Sequence, residues 1–404
     1  MTDNTPRADV PAPRPPTDST DITALARCPG PVAPGGAVAA LTDQVLVHAS
    51  YEAGARLLPS LPPSAPGLVL GGVMALRGVR KLRDGGYRGI LIADPEGYKK
   101  AEATPDVPFV LPEGDGLFSV SLDDVLRQQR ESGASVAMTP TGYLHVGESE
   151  PLKAAVAQVA VLDRDDVLLS VPIDAAWLKD EHFPQLLAIL SRTQAPKVVF
   201  LGGQGDPVAS HKSAVPNLRR LVSEGGHVGV FRTDLTALDA MCHGAFVASI
   251  GTGGSHRHIV SPGEPSRARA QDPSPSVLYP ALMSFHKGSL LAERFANTPP
   301  PTCDCVSCLG RGLDGFLGRE DTVAAHAHGV HVWSEWCEEM RSCASLADRT
   351  WWWKHRCEVA VEARMAVNEL IEIPDAFKVS RPLRAWAQLP PWPSGPRPTR
   401  FPVP

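Results

Sequence analysis

The sequence predicts an α/β protein, a (β/α)8 TIM barrel with a zinc-binding insertion near its carboxyl end. Three observations predict it. Eight short apolar runs rich in β-branched residues recur along the 404 residues, amphipathic segments lie between several of them, and three cysteines stand in a C-x-C-x-x-C pattern at 303–308.

The runs are QVLVHAS (44–50), GLVLGGV (67–73), YRGILIAD (87–94), ASVAMTP (134–140), DVLLSVPID (166–174), KVVFLGG (197–203), HVGVFRTD (227–234) and GAFVASIG (244–251). Continuous apolar runs, as opposed to alternating ones, fit strands covered on both faces, the situation of a parallel sheet. Between them SLDDVLRQQRESG (121–133), DEHFPQLLAILSRT (180–193), VPNLRRLVSEGG (215–226) and LTALDAMCHG (235–244) carry helical spacing. Eight such strands with crossover helices fit a closed barrel, and an open doubly wound sheet is the alternative that the same pattern allows.

The flanks differ in composition. Residues 1–42 are rich in Pro, Ala, Gly, Thr and Asp, and the last fifteen residues, within a tail read as 376–404, hold seven prolines. Both read as extended segments with too little apolar surface to offset their ordering entropy, with Trp392 and Phe401 as the side chains able to dock. The barrel with its insertion then spans 43–375, the zinc subdomain 300–345.

A net charge of −5 advertises no global field for nucleic acid, although it leaves room for a local basic groove. No apolar run reaches the ~18 residues of a membrane helix. MTDNTPRADVPAPRPP has no apolar stretch after a basic start, so the expected compartment is the cytoplasm, and no membrane partner is expected. Clustered cysteines in a reducing compartment point to metal or catalysis before disulfides.

A barrel places chemistry at the carboxyl ends of its strands. Those positions hold Tyr51, Asp94, Thr141, Asp174, Gly202, Gly203, Asp206, Asp234, Ser249, His256 and Arg257. An Asp there is a candidate nucleophile or general base, or else an N-cap of the following helix. Arg257, with His256 and His258 after the glycine turn GTGG, is a candidate for phosphate. RTWWWKHRCEVAVEARM (349–365) mixes tryptophans with Lys354, His355 and Arg356. It either meets nucleic acid or covers the barrel or a second subunit.

Cys303, Cys305 and Cys308 supply three thiolates within six residues, and a closed zinc site needs a fourth ligand. AAHAHGVHVWSEWCEEMRSC (324–343) offers His326, His328, His331, Cys337 and Cys343. Four protein ligands leave no position for water, so the metal is expected to be structural.

Here the chain resembles the tRNA-guanine transglycosylases, (β/α)8 barrels that exchange guanine for a 7-deazaguanine. That family carries C-x-C-x-x-C and then a zinc-binding His opening a helix with two aromatics and a Met near an Arg. HGVHVWSEWCEEMR (328–341) matches with His328 as ligand and His331 as runner-up, although His328 stands closer to the last cysteine than the family's His does. The resemblance implies further roles. LIADPEGY (91–98) puts Asp94 at a catalytic Asp, Thr141 falls where a base-recognising Asp stands, and Gly202 and Gly203 match a turn whose backbone approaches the 7-substituent of the base. Tyr51, His256 and Arg257 complete the implied substrate site.

GAFVASIG departs from the family: Ser249 stands where the nucleophilic Asp is expected. The implied activity is therefore base exchange with Asp94 as the acid that takes over, through a covalent glycosyl-enzyme. His227, His256, Tyr51, Asp174 or Asp206 would manage protons. A divergent branch modifies DNA instead of tRNA, and the altered base pocket suits that branch better. The implied partners are DNA or, second, tRNA, a 7-deazaguanine base resembling preQ0, and protein components of a DNA-modification system. The competing reading is a paralogue without chemistry, serving as a nucleic-acid-binding or partner subunit.

Overall fold

The eight apolar runs become the eight strands of one parallel sheet: β1 (Gln44–Ser50), β2 (Gly67–Gly71), β3 (Ile90–Asp94), β4 (Ala137–Met138), β5 (Val167–Asp174), β6 (Lys197–Gly202), β7 (Val228–Thr233) and β8 (Val247–Gly251). This computed structural model describes residues 26–113, 119–264 and 272–391. The strands are hydrogen-bonded in the order β3-β2-β1-β8-β7-β6-β5-β4, so chain neighbours are spatial neighbours and β1 lies beside β8. The two ends of that row also meet. Ser135 N–H donates to Leu91 O at 2.7 Å and Leu91 N–H donates to Ser135 Oγ at 3.0 Å. The result is a nearly closed barrel, and the open-sheet alternative falls.

Parallel neighbours need crossovers, and helices supply them. They are α1 (Tyr51–Leu57), α2 (Ala75–Asp84), α3 (Gly97–Lys100), α4 (Leu122–Glu131), α5 (Ser149–Ala160), α6 (Phe183–Leu190), α7 (Pro207–Ser210), α8 (Ala214–Glu224) and α9 (Thr236–Cys242). Local sequence explains their starts. Ser50 caps α1, and Ser121 with Asp124 closes a capping box on α4. Alternation along the strands sorts the apolar residues. Leu46, Val69, Ile92, Leu168, Phe200 and Phe231 pack together inside the barrel, while Val47, Leu70, Leu91 and Ile250 face the helices.

Within the flanking segments, the described residues 26–42 and 376–391 are more ordered than the composition predicts. A 3-10 turn over Gly36–Leu41 inserts Val38 and Leu41, both fully buried, into the interior cluster at the amino-terminal end of the barrel. Asp43 next to it makes a two-pronged ion pair with buried Arg349 (2.6 and 2.8 Å). In this described part of the amino-terminal flank, a few well-spaced apolar side chains find a hole to fill.

After β8 come the hairpin β9 (Ser276–Tyr279) and β10 (Ser284–Lys287), then α10 (Gly288–Arg294). The short hairpin β11 (Thr302–Cys303) and β12 (Arg311–Gly312) and the helices α11 (Thr322–Ser342), α12 (Leu346–Leu370) and α13 (Arg381–Gln388) complete the order. A separate apolar cluster, with Tyr279, Phe295, Phe316 and Phe377, gives the inserted region its own core. Helix α13 falls in the segment expected to be a proline-rich tail. Its Trp386 is buried, with its ring 5.5 Å from that of Trp353. Trp352 and Trp353 are buried too, Lys354 binds Ala387 O and Glu358, and Arg356 binds Glu339. The tryptophan segment thus covers the barrel. Trp392 and Phe401 lie outside the described residues. Among the described residues no helix is long and apolar enough to cross a membrane.

Candidate metal centre and barrel mouth

The knuckle between β11 and β12 is shaped by its own backbone. Cys308 N–H and Leu309 N–H both donate to Cys305 O, Gly310 N–H donates to Cys303 O, and Leu309 and Gly310 take left-handed φ values of 50° and 86° to turn the chain back. That turn aims three sulfurs at α11. Ligand atoms of Cys303, Cys305, Cys308 and His328 all lie within 4.8 Å of one another. His328 Nδ1 stands 3.3 Å from Cys308 Sγ and 3.7 Å from Cys305 Sγ. A tetrahedral zinc ion with ordinary bond lengths sets sulfur and nitrogen about 3.6 Å apart, so the four residues could hold a metal such as zinc. His328 Nε2 meets Leu278 O at 2.7 Å, which fixes the ring and leaves Nδ1 for a metal. His331 instead bonds Ser60 O, so it is not part of the cluster.

At the carboxyl ends of the strands the barrel axis is sealed by a polar network. Asp94 ends β3 as expected, but it is fully buried. Its Oδ1 accepts from Glu96 N–H at 2.9 Å and its Oδ2 from Tyr98 Oη–H at 2.6 Å, with Arg232 Nη1 at 3.8 Å and His48 Nε2 at 3.4 Å. Burial raises the Asp94 carboxyl, yet the His48, Arg232 and Tyr98 contacts outweigh it and hold the group below its ordinary range. Burial pushes the His48 imidazole down, so Arg232 is the counter-charge at neutral pH. A neutral His48 with its proton on Nε2, toward Asp94, accepts at Nδ1 from Ser249 Oγ at 3.2 Å. Ser249 Oγ in turn accepts Arg232 N–H at 2.9 Å.

Arg232 is the hub. It donates to Glu96 Oε1 (2.6 Å), Tyr98 Oη (2.9 Å), His258 O (3.0 Å) and Ser255 O (2.8 Å). The last two pin the loop after β8 over the axis, with the His256 ring 6.3 Å from His48. Arg232 and Glu96 both adopt left-handed backbone, φ 58° and 50°, a conformation costing on the order of 1 kcal/mol or more each that persists only where the surroundings enforce it. Sequence reading missed His48, Glu96, Tyr98 and Arg232. The available signal was a His in QVLVHAS and an Arg in HVGVFRTD, each a polar residue inside an apolar run.

The other predicted substrate residues scatter. Tyr51 faces outward, packed on Gly78 with Lys81 Nζ 5.6 Å from its ring centroid. Thr141 is buried, its hydroxyl 2.8 Å from that of Thr139. The space left by Gly202 is taken by the Tyr143 hydroxyl, 2.3 Å from where a Cβ would stand, and Gly203 N–H donates to Ile259 O. The chain itself thus occupies the approach reserved for a base. Arg257 bonds Gly251 O, Thr252 O and Ser276 Oγ and lies 3.3 Å over the Phe285 ring, which makes it an anchor for its own loop. Burial and neighbouring cations depress His256 to about 3. His227 precedes β7 at the opposite end of the barrel, and Asp174 caps the turn after β5.

An open cavity remains beside the sealed axis, over the ends of β6 and β7. Its volume is about 370 Å³, and Leu201, Asp206, Asp234, Met283, Phe285 and Trp386 line it. Two elements distant in sequence roof it, the β9–β10 hairpin and α13. Asp206 Oδ1 accepts from Val208 N–H and Ala209 N–H, and Asp234 Oδ1 from Thr236 N–H and Oγ1–H. Each uses one oxygen as a helix cap, leaving Oδ2 without a hydrogen-bond partner among the described residues. Burial, then the charge of Asp234, raises the Asp206 carboxyl to about 7.

That shift has a measurable sign. Between about pH 4 and 7 folded Asp206 holds a proton that the unfolded chain has lost, so wild-type stability falls as pH rises through this window. Asp206→Asn keeps an acceptor for the two N–H groups and removes the buried charge. Its thermal midpoint should exceed that of wild type at about pH 8, with the gain vanishing toward about pH 4. An advantage independent of pH would contradict the shift.

No protein-family model matches this chain, and no curated protein does. Among solved structures, a variant carboxyl transferase domain of Rhizobium etli pyruvate carboxylase, bound to pyruvate, overlaps at TM-score 0.34 and 11% identity, covering 87% of this chain and 69% of that one. Rhizobium etli pyruvate carboxylase with its activator acetyl coenzyme A gives 0.32 and 11%, covering 91% of this chain and 34% of that longer one. Similarity this low says nothing about activity, and the barrel rests on its own strand pairing.

Proposed function

We propose that the chain is a base-exchange transglycosylase that replaces guanine by a 7-deazaguanine in nucleic acid, DNA before tRNA. In this reading its catalytic carboxylates are Asp234 and Asp206, not Asp94. The single observation that carries this reading is the cavity over β6 and β7. Two neighbouring acids line it, each with one carboxylate oxygen capping a helix, and Phe285 and Trp386 form aromatic walls for a planar base. The ligand set Cys303, Cys305, Cys308 and His328, named from the resemblance and found together in space, supports the family context. The metal is zinc, and its four protein ligands make it a structural tie between the inserted region and the barrel.

The chemistry follows from the two carboxyl groups. Asp234 Oδ2 attacks C1′ of the target nucleotide, the C1′–N9 bond breaks, and the departing guanine takes the proton of Asp206. The incoming 7-deazaguanine gives its N9 proton back to Asp206, and its N9 displaces Asp234 from C1′. Atoms and charge return to the start, as in retaining glycosyl transfer. Asp94 acts as a positioning residue: with Arg232 it holds the loop that borders the cavity.

One observation favours a second reading, a paralogue without chemistry that binds nucleic acid or a partner. Asp94 and Ser249, at the family's two key positions, are both fully buried with their oxygens bonded. Nucleoside analysis of DNA and tRNA from cells expressing the chain and supplied with a 7-deazaguanine separates the two. Deazaguanine in DNA above an empty-vector control is expected, and its absence from both polymers leaves the second reading.

A further inference from the structure

Helix α2 reads ALRGVRKLRD, and the stretch 75–88 holds five cations against the single acid Asp84 in a chain of net charge −5. Its apolar side is committed: Ala75, Gly78 and Val79 are buried against the barrel. Arg83 is committed as well, donating to the carbonyls of Gly133, Tyr87 and Gly89. Arg77, Arg80, Lys81 and Arg88 are exposed.

Cations on several other helices of this chain are balanced by acids on the same helix. Arg127 pairs with Asp123, Asp124 and Glu131 on α4, Arg220 with Glu224 on α8, and Lys354 with Glu358 on α12. On α2, Arg77, Arg80 and Lys81 form no ion pair among the described residues, even though Asp84 stands four residues after Arg80. Spacings of three and four put these three side chains on one face, roughly 5–6 Å apart. The half-buried ring of Tyr51 lies beside Lys81, with Lys81 Nζ 5.6 Å from its centroid. The helix starts just after β2, at the mouth of the barrel, where Val73 is almost fully exposed.

We infer that this face, Arg77, Arg80 and Lys81 with Tyr51, is where the phosphodiester backbone of the nucleic-acid substrate docks. The inference rests on the nucleic-acid reading above and adds the surface that delivers the polymer to the mouth. A membrane surface is the poorer match, because the apolar side of α2 is already buried. A row of phosphates offers continuous negative charge to the unbalanced guanidinium and ammonium groups, and contacts of this kind make binding salt-dependent.

Fluorescence anisotropy of labelled duplex DNA and of labelled tRNA, titrated at several salt concentrations, tests it with the full chain. Arg77→Glu/Arg80→Glu/Lys81→Glu is compared with wild type and with Arg192→Glu/Lys212→Glu/Lys378→Glu, an equal charge change at exposed sites elsewhere. Circular dichroism confirms that both are folded. The α2 variant should bind at least tenfold more weakly, with a log–log salt slope shallower by about 2–3, while the control stays within about threefold. Equal losses in both variants, or an unchanged slope in the α2 variant, overturn the surface. So does wild-type binding to vesicles of anionic lipid that the α2 variant loses alongside an undiminished hold on DNA. Base exchange is read separately: lost DNA binding in a chain whose wild type exchanges no base retains this surface and removes the exchange reading.

Discussion

Cys305→Ala should emerge from purification with its metal content reduced from about one zinc per chain to near zero, and with the inserted region open to protease. The expected effect is large because the knuckle has little else to hold it. β11 and β12 are two residues each, and Val306 and Leu309 point into solvent, 76% and 83% exposed. Metal binding in such knuckles is folding energy, on the order of 10 kcal/mol in isolated zinc-finger peptides. The barrel has its own core and should survive, so the loss should appear as a separate early transition in thermal melts. A chelator applied to wild type should reproduce it. Full metal retention in Cys305→Ala would remove the assignment, and His331→Ala should leave the metal in place, since that ring bonds Ser60 O.

Arg232→Met should cost about 3–5 kcal/mol in a denaturant titration. It leaves buried Asp94 without its cation, leaves Glu96 only the partly exposed Lys99 as an ionic partner, and frees the carbonyls of Ser255 and His258. Adding Glu96→Gln should recover part of the loss, because it removes a buried charge that has lost its Arg232 partner, and the double-mutant cycle then measures the Arg232–Glu96 coupling. The pH dependence should change as well. In wild type Asp94 is held below its ordinary range, so its contribution is present above the unfolded value and lost only as pH falls through the lower folded value. Without Arg232 that loss should begin at a higher pH. A cost under about 1 kcal/mol would show that the hub is incidental.

Much of the architecture was legible because it depends on short-range pattern. All eight apolar runs became strands, and the run 134–140 shortened to Ala137–Met138, where the Gln129 side chain bonds both the N–H and the carbonyl of Met138. The Cys303, Cys305, Cys308 and His328 cluster, which could hold a metal, was legible because three thiols at fixed spacing leave a turn few choices. Helices α1, α2 and α5 were not read: α1 and α2 carry a glycine in mid-helix, and α5 begins from a Gly-Glu-Ser-Glu turn.

The site was the hardest part to read, for a physical reason. Asp206 and Asp234 look like Asp94 and Asp174 in sequence, each an acid after a strand and each a good helix cap. What separates them is whether later chain covers them. Arg232 and the loop 251–259 close over Asp94, while β9, β10 and α13 arch over Asp206 and Asp234 and leave a void. That difference comes from contacts among residues far apart in sequence.

The central claim is that the working acids stand in this cavity and not on the barrel axis. It is tested most directly by the rate at which purified Asp234→Asn and Asp94→Asn incorporate a labelled 7-deazaguanine into duplex DNA, each expressed per folded molecule. Asp234→Asn should lose at least about a hundredfold, the scale of a missing nucleophile, with Asp94→Asn within about tenfold of wild type. Exchange that survives in Asp234→Asn and disappears in folded Asp94→Asn would contradict the account and return the chemistry to the barrel axis.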